Sequence, residues 1–143
     1  MSKKSFGGIK EDLLFYKVSD VESDGFGMVI GYKANAVPFV LECVKDTVSF
    51  ESSSQNLDGE EYFSSEIKGV ISDVNPSIQK IITEIKRNEC IGFATTKTER
   101  KVQLGNAYMP LMLDSSVRVS ENHSFNGFNI VIKWNSINMP DFR

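Results

Sequence analysis

The chain has little of three things that many functional classes require: histidine, cysteine and long apolar segments. Among its 143 residues are one histidine, His123, and two cysteines, Cys43 and Cys90. A single histidine excludes the histidine clusters that bind zinc or iron, and cysteines that lie inside apolar runs are expected to be buried free thiols. The longest apolar runs, 37–41 and 128–132, are far too short to cross a bilayer. No signal-peptide pattern opens the chain, so we expect a cytoplasmic site of synthesis and no membrane partner.

Positive charge is also scarce. The formal net charge is -3, which argues against a nucleic-acid coat or a protein that binds anionic membranes, because both need a basic surface. Apolar residues make up 41% of the chain and charged residues 24%, as in ordinary globular proteins. A chain of this length buries enough surface to fold without a disulfide or metal. We therefore predict one domain over residues 1–143.

One helix is strongly indicated. Asn75 and Pro76 match an N-cap and a first helical residue, since the Asn side chain can accept a free backbone N–H and Pro has none. Four isoleucines then recur at helical spacing and form one apolar stripe: Ile78, Ile81, Ile82 and Ile85. The pattern predicts a helix over about 76–87 whose apolar face packs on another element.

The rest of the chain has the pattern of short strands separated by polar turns. We predict that 39–44 and 47–52 pair as a hairpin and that 53–59 is a loop. Other expected strands are 13–18, 28–32, 62–71, 90–95, 101–104, 111–113, 117–119 and 128–134. The predicted fold class is therefore β-rich α+β, an antiparallel two-sheet sandwich or rolled barrel with one helix packed on it.

The two ends of the chain differ from this body. Residues 1–10 and 135–143 have no periodicity and are predicted to be an N-terminal and a C-terminal extended arm around a body at 11–134. Both arms carry apolar side chains, which are explained by docking on this domain or on a neighbouring copy. We assign them to an interface between copies: Phe6, Ile9, Ile137, Met139 and Phe142.

No motif predicts catalysis. Asp20, Glu22 and Asp24 resemble the opening of a calcium loop, but the closing Glu and the flanking helices are missing, so a solvated acidic turn is the better interpretation. Whether an ion binds there stays open. His123 lies in a predicted turn with no catalytic partner, and Glu66 with its acidic neighbours has no fixed separation for glycoside chemistry. We predict no enzyme, no catalytic residue, no cofactor and no metal.

Several short segments carry a resemblance to a known family. They are Gly7-Gly8-Ile9-Lys10, Phe50-Glu51-Ser52 leading through Gly59 and Tyr62 into a strand, the helix of 76–87, Cys90-Ile91-Gly92-Phe93, Arg100 to Asn106, and Asn126-Gly127-Phe128. In this order they resemble the small tail-tube-like virion structural proteins of tailed phages and prophages of Bacteroidetes. The resemblance covers most of the chain.

That resemblance implies a tail-tube-like β-sandwich that self-assembles into six-fold rings, which stack into a conduit for DNA ejection. It implies localisation in the virion, contacts with other tail or neck proteins, and DNA only in transit. The negative charge suits such a conduit, and we expect three carboxylates to line its lumen: Asp58, Glu60 and Glu61. Two alternatives stay open, a neck, head-to-tail or tail-completion ring of the same fold, and a monomeric β-sandwich binding module, for instance for carbohydrate.

Overall fold

The computed structural model of this chain describes residues 9–72, 75–119 and 126–137. These residues form ten β-strands, one α-helix and a short 3-10 helix at Val18–Asp20. The strands and the helix are, in chain order, β1 (Asp12–Lys17), β2 (Val21–Ser23), β3 (Val29–Tyr32), β4 (Phe39–Glu42), β5 (Ser49–Leu57), β6 (Glu60–Ile71), α1 (Pro76–Arg87), β7 (Cys90–Thr95), β8 (Lys101–Leu104), β9 (Met112–Val119) and β10 (Asn126–Ser136).

The strands form two four-stranded antiparallel sheets and a two-stranded ribbon. The β1 sheet has the order β4-β1-β7-β8, and the β6 sheet has the order β5-β6-β10-β9. Strands β2 and β3 make the ribbon. The predicted β-rich α+β class is confirmed. Both four-stranded sheets are open, so the alternative of a closed, rolled barrel is wrong: in the described residues β4, β8, β5 and β9 each pair on one side only.

One hydrophobic core joins both sheets and the helix. Phe15 and Leu104 enter it from the β1 sheet, Ile67 and Ile132 from the β6 sheet, and Ile82 from the helix. Burying each large apolar side chain stabilises the fold by about 1.5–3 kcal/mol before entropy is counted. The alternation of buried residues along β6 follows the predicted inward face, which Ile67 and Ile71 share with Gly69.

The helix has the predicted bounds and the predicted N-cap. The Asn75 side chain accepts the backbone N–H of Ile78 at 2.9 Å, and the Asn88 side chain donates to the Glu84 carbonyl at 2.7 Å. At each end of the helix a side chain therefore makes a hydrogen bond to a backbone group that has no partner within the helix. All four isoleucines of the predicted stripe are buried or packed against the core: Ile78, Ile81, Ile82 and Ile85.

The predicted hairpin of 39–44 with 47–52 is wrong. Strand β4 pairs with β1, and β5 pairs with β6. Between β4 and β5 the chain crosses from one sheet to the other, where the Val44 N–H donates to the Val70 carbonyl at 2.7 Å. Short spacing favoured a local hairpin, but burial of Leu41 in the shared core places β4 in the opposite sheet.

Three other boundaries also differ from the prediction. Residues 53–57, expected in a loop, continue β5, because their backbone pairs with β6 through to Leu57 opposite Glu60. Residues 111–113 and 117–119, expected as two strands, lie largely in the single strand β9, which pairs with β10 without a break from Met112 to Val119. Strand β10 extends to Ser136 and so takes in the first two residues of the predicted C-terminal arm.

Candidate assembly surfaces

The hairpin of β5 and β6 ends in a two-residue turn at Asp58 and Gly59. Both residues have positive φ, 53° and 83°, as a tight hairpin of this kind requires. The three carboxylates expected in a lumen, on Asp58, Glu60 and Glu61, are all exposed and lie at or beside this turn. Because successive side chains alternate along a strand, Glu60 and Glu61 point to opposite faces of the β6 sheet. Sequence proximity therefore brings the three together at one end, not on one face.

Strand β5 is a long edge with little to block further pairing. It has nine residues, it pairs only with β6 in the part of the chain that is described, and its side chains are exposed except for half-buried Phe50. Natural edge strands are usually protected by lysine, proline, a bulge or short length. Residues 49–57 contain no lysine, arginine or proline, and their register with β6 is continuous. By contrast, the edge strands β4 and β8 have four residues each.

The outward face of the β6 sheet is polar except at the end marked by the β5–β6 turn. Ser65, Ile67 and Ile132 point into the core, so the residues between them point away from it. Among the side chains described on this outward face, the charged ones are Glu51, Glu60, Glu66, Asp114, Lys68 and Lys133. Carboxylates outnumber ammonium groups, and one pair is matched, Lys68 Nζ with Glu66 Oε1 at 3.2 Å.

A groove of about 1060 Å³ lies where β5, β6 and β10 reach the end marked by the β5–β6 turn. Its apolar wall includes Leu57, Tyr62, Met109, Met112 and Ile137. Leu57 is 63% exposed, Met112 66% and Ile137 69%, which is unusual for neighbouring large apolar side chains on a monomer. Sequence reasoning identified Ile137 but not the other four, because only the fold brings residues 57, 62, 109 and 112 together.

The predicted arm residues are only partly described. Ile9 is buried in the core of its own chain, where it forms a bridge with Thr96. Its side chain is therefore covered without a neighbouring copy. Phe6, Met139 and Phe142 lie outside the described residues, as does His123.

The described residues hold little that suits metal or thiol chemistry. No group of three or more His, Cys, Asp or Glu is placed to bind a metal within residues 9–72, 75–119 and 126–137. Asp24, part of the suspected calcium loop, uses its Oδ1 to accept the backbone N–H groups of Phe26 and Met28 at 2.8 and 3.0 Å. The two cysteines are buried and free, as predicted, and burial raises the pKa of the Cys43 thiol to about 12 and that of Cys90 to about 11.

Two further observations bear on function. No helix in the part of the chain that is described has the length and apolarity needed to span a bilayer. Comparison with protein-family models, with curated proteins and with solved structures gives no match to this chain. The resemblance to tail-tube-like proteins therefore stays a prediction, and the surfaces described above carry the functional argument.

Proposed function

We propose that this chain is a virion structural protein, a tail-tube-like subunit that self-assembles into rings and, by stacking, into a conduit for DNA. The phage assignment comes from the sequence resemblance. The self-assembly is supported by one observation above all: in the described residues the long strand β5 pairs on one side only, on a four-stranded sheet whose other edge strand, β9, is also long.

The edges suggest how copies join. An unpaired strand edge is a row of free backbone donors and acceptors that an extended strand of another chain can satisfy. If β5 of one copy pairs with β9 of the next, the β6 sheet continues from copy to copy. Such a contact uses two different surfaces, so it is heterologous and closes into a ring when the rotation between copies allows it. We expect six-fold symmetry.

The polar part of the outward face of the β6 sheet, beyond the groove, fits the lumen of such a ring. In this arrangement the core, the helix and the β1 sheet lie outside, and Glu51, Glu66 and Asp114 face the channel. Carboxylates repel DNA phosphates and keep a duplex from binding to the wall. Asp58, Glu60 and Glu61 then belong to one rim of the channel. A map of the assembly with these residues on its outer surface would contradict this lining.

The test is to block β5 and image the protein by negative-stain microscopy, with light scattering for mass. Replacing Ser53 and Gln55 by lysine places two cations on the middle of the edge strand. A matched control makes the same two changes at exposed positions elsewhere, Ser72→Lys and Gln79→Lys. We expect wild type and control to form rings or tubes and the edge variant to stay monomeric with unchanged circular dichroism.

The outcomes separate the candidates. Tubes support a tail-tube subunit, and isolated rings that never lengthen support a neck or tail-completion ring. A wild-type chain that stays a monomer at every concentration would remove the assembly proposal and leave the binding-module alternative, for which the groove would be the site. Edge variants that assemble as well as wild type would show that β5 is not the contact.

A further inference from the structure

The last described residue of the chain lies in the groove. Ile137 directly follows β10, lines the groove and is 69% exposed. In the pairing of β10 with β6, Ser136 is opposite Phe63. The next residue of β6 toward the β5–β6 turn is Tyr62, which also lines the groove. The chain bends at Ile137 and leaves the line of β10 there, so the residues that follow start at the groove itself.

Leu57, Tyr62 and Ile137 form the apolar end of the groove nearest to the β5–β6 turn, called here the turn end. Leu57 is 63% exposed and lies opposite Glu60 in the register, so it shares the outward face with Tyr62, two residues further along β6. Pairing of β6 with β10 stops at Phe63, so within the described residues 60–62 pair with β5 alone. Apolar side chains and one backbone edge are therefore open to a further segment at the turn end.

The residues that follow Ile137 have side chains that suit this place. Residues 138–143 have the sequence Asn-Met-Pro-Asp-Phe-Arg, so two large apolar side chains, Met139 and Phe142, come within five positions of Ile137. Burial of such side chains against other apolar groups is the main favourable contribution to a contact of this kind. Pro140 lies between them and restricts the backbone, which lowers the conformational entropy that the segment loses on docking.

The charges of the segment do not oppose this contact. The segment carries one charge of each sign, on Asp141 and Arg143. The groove also has both signs, on Glu60 and Glu61 and on Lys133. None of the ion pairs in the described part of the chain involves these three groove residues. Each charge of the segment can therefore meet an opposite charge of the groove, while the apolar side chains supply most of the favourable free energy.

The segment is long enough to reach the turn end, and its attachment favours its own groove. Its six residues reach at most about 20 Å. Leu57 lies two strands across from Ile137 and two residues further along, a distance of about 12 Å by strand geometry. A segment tethered so close has an effective concentration in the millimolar range, which in dilute protein exceeds the concentration of the same segment on a second copy.

We propose that residues 138–143 fold over the turn end of the groove in their own copy, with Met139 and Phe142 packed against Leu57 and Tyr62. The segment covers the exposed apolar side chains and lies beside the open backbone edge of β6. The proposal concerns a single copy and does not rest on the proposed function, because it holds whether or not copies assemble.

This arrangement differs from the interface between copies that the sequence predicts for Met139 and Phe142. It agrees with the position of Ile9, which has the same predicted role and is buried in its own chain. It also limits the binding-module alternative, because a ligand would enter the turn end only after the segment leaves. Met112 lies at the other end of the groove, opposite Lys133, and stays uncovered.

The first test maps what the segment contacts. Phe142 is replaced by p-benzoylphenylalanine, a photoreactive side chain that keeps the aromatic ring, in a mixture of isotopically light and heavy protein that is kept monomeric by dilution. After irradiation we expect cross-links from position 142 to residues 57–62 within one copy, light to light or heavy to heavy. The same photoreactive residue at Val37, which is 72% exposed and does not line the groove, should not label these positions.

The pattern of cross-links decides where the segment lies. Cross-links to the groove between light and heavy protein would place the segment on a second copy and would overturn the proposal. Cross-links found only outside the groove would show that the segment does not cover it and would also overturn the proposal. Rings and tubes are scored separately in the β5 variants, so the proposed function and this inference can fail independently.

A second measurement tests whether the turn end is covered. Leu57→Cys places a thiol there, and its alkylation by a maleimide is timed with the native segment and with Met139→Ser and Phe142→Ser. The two native cysteines are buried and react slowly. We expect the thiol at position 57 to react about tenfold faster with the substituted segment, the factor expected when a cover that is in place for about nine-tenths of the time is lost.

Glu51→Cys is the matched control for this measurement. Position 51 lies on the same face of β5, about 20 Å from position 57 by strand geometry, and its thiol should react at the same rate with either segment. Equal rates at position 57 with both segments would overturn the proposal. Faster reaction at both positions would show that the substitutions loosen the whole sheet, and would overturn a cover confined to the turn end.

Discussion

The two four-stranded sheets share one core but differ on their outward faces. On the β1 sheet the ribbon of β2 and β3 covers part of that face: the ring centroids of Tyr16 and Tyr32 are 4.6 Å apart, and Ile91, opposite Tyr16 in the register, is fully buried although it points away from the shared core. Among the described residues nothing covers the outward face of the β6 sheet, which is polar except at the groove. The β1 sheet is therefore partly buried on both faces, whereas the β6 sheet, within those residues, has one uncovered face and edge strands, β5 and β9, that each pair on one side only.

The largest effect is expected on the inward face of the β6 sheet. Ile67→Asp buries a charge without a partner and should abolish folding, at a cost of more than about 4 kcal/mol. Ser64→Asp, on the outward face of the same strand, should leave the melting temperature nearly unchanged. Circular dichroism melting measures both. If Ile67→Asp melted close to wild type, the assignment of the inward face would be wrong.

The next largest loss of stability is expected on the outward face of the β1 sheet, at Ile91. Ile91→Ala should cost about 2–5 kcal/mol, as for a core isoleucine, because this side chain is fully buried. Met112→Ala, on the uncovered outward face of the β6 sheet, should change stability by less than about 0.5 kcal/mol. Urea denaturation of the two variants compares the faces directly, and equal costs would mean that the two faces do not differ in this way.

Two glycines with the same backbone conformation lie in turns that differ in packing. Gly105 lies in the closely packed turn after β8, and Gly59 lies in the exposed β5–β6 turn. Gly105 and Gly59 have φ of 82° and 83°, but a Cβ at Gly105 would lie 2.7 Å from the Leu111 backbone N, whereas one at Gly59 meets nothing. Gly59→Ala should cost about 1 kcal/mol for the left-handed conformation alone. Gly105→Ala should cost at least about 1 kcal/mol more from the clash. Equal denaturation midpoints would show that the 105–109 turn moves to admit the methyl group.

The smallest effect is expected for the exposed ion pair that links the two sheets, Asp46 with Lys97 at 2.7 Å. Hydrogen bonding to Lys97 lowers the pKa of Asp46, and Asp46 raises the pKa of Lys97. The carboxylate therefore stabilises the fold above its ordinary pKa of 3.8 and loses this effect as pH falls through the lowered value, while the ammonium loses its effect as pH rises above 10.5.

A double-mutant cycle with Asp46→Asn and Lys97→Met checks this pair. The coupling should be small and constant from about pH 5 to about pH 9, because both groups stay charged there and solvent screens them. It should vanish in strong acid. A coupling as large as the difference between the two glycine variants would show that the pair holds the sheets together.

The features that were predicted correctly depend on residues that lie close together in the sequence. The helix at 76–87 followed from the Asn75 cap and the isoleucine spacing, and the inward face of β6 followed from alternation around Ile67, because both signals lie within a few residues. The strand character of 53–57 was missed because this segment has no β-branched or aromatic residue, and only its pairing with β6 shows that it is extended. The partner of β4 was missed for the same reason, since pairing with β1 joins residues far apart in sequence.

The same difference between local signals and long-range contacts applies to the candidate site. The acidic turn and Ile137 were identified from sequence, while the groove was not, because its lining comes from three separate segments that only the fold brings together: 57–64, 109–112 and 133–137. Ile9 was expected to need a neighbouring copy and is instead buried in its own core.

The central claim, that copies join through the edge strand β5 of the β6 sheet, is tested most directly by amide hydrogen exchange of residues 49–57 in assembled and dilute protein. Pairing with a second copy would slow exchange of the edge-facing amides of β5 in the assembled sample, while exchange in β1 and β7, already paired on both sides, stays the same. The claim would be contradicted if β5 exchanged at the same rate in both samples.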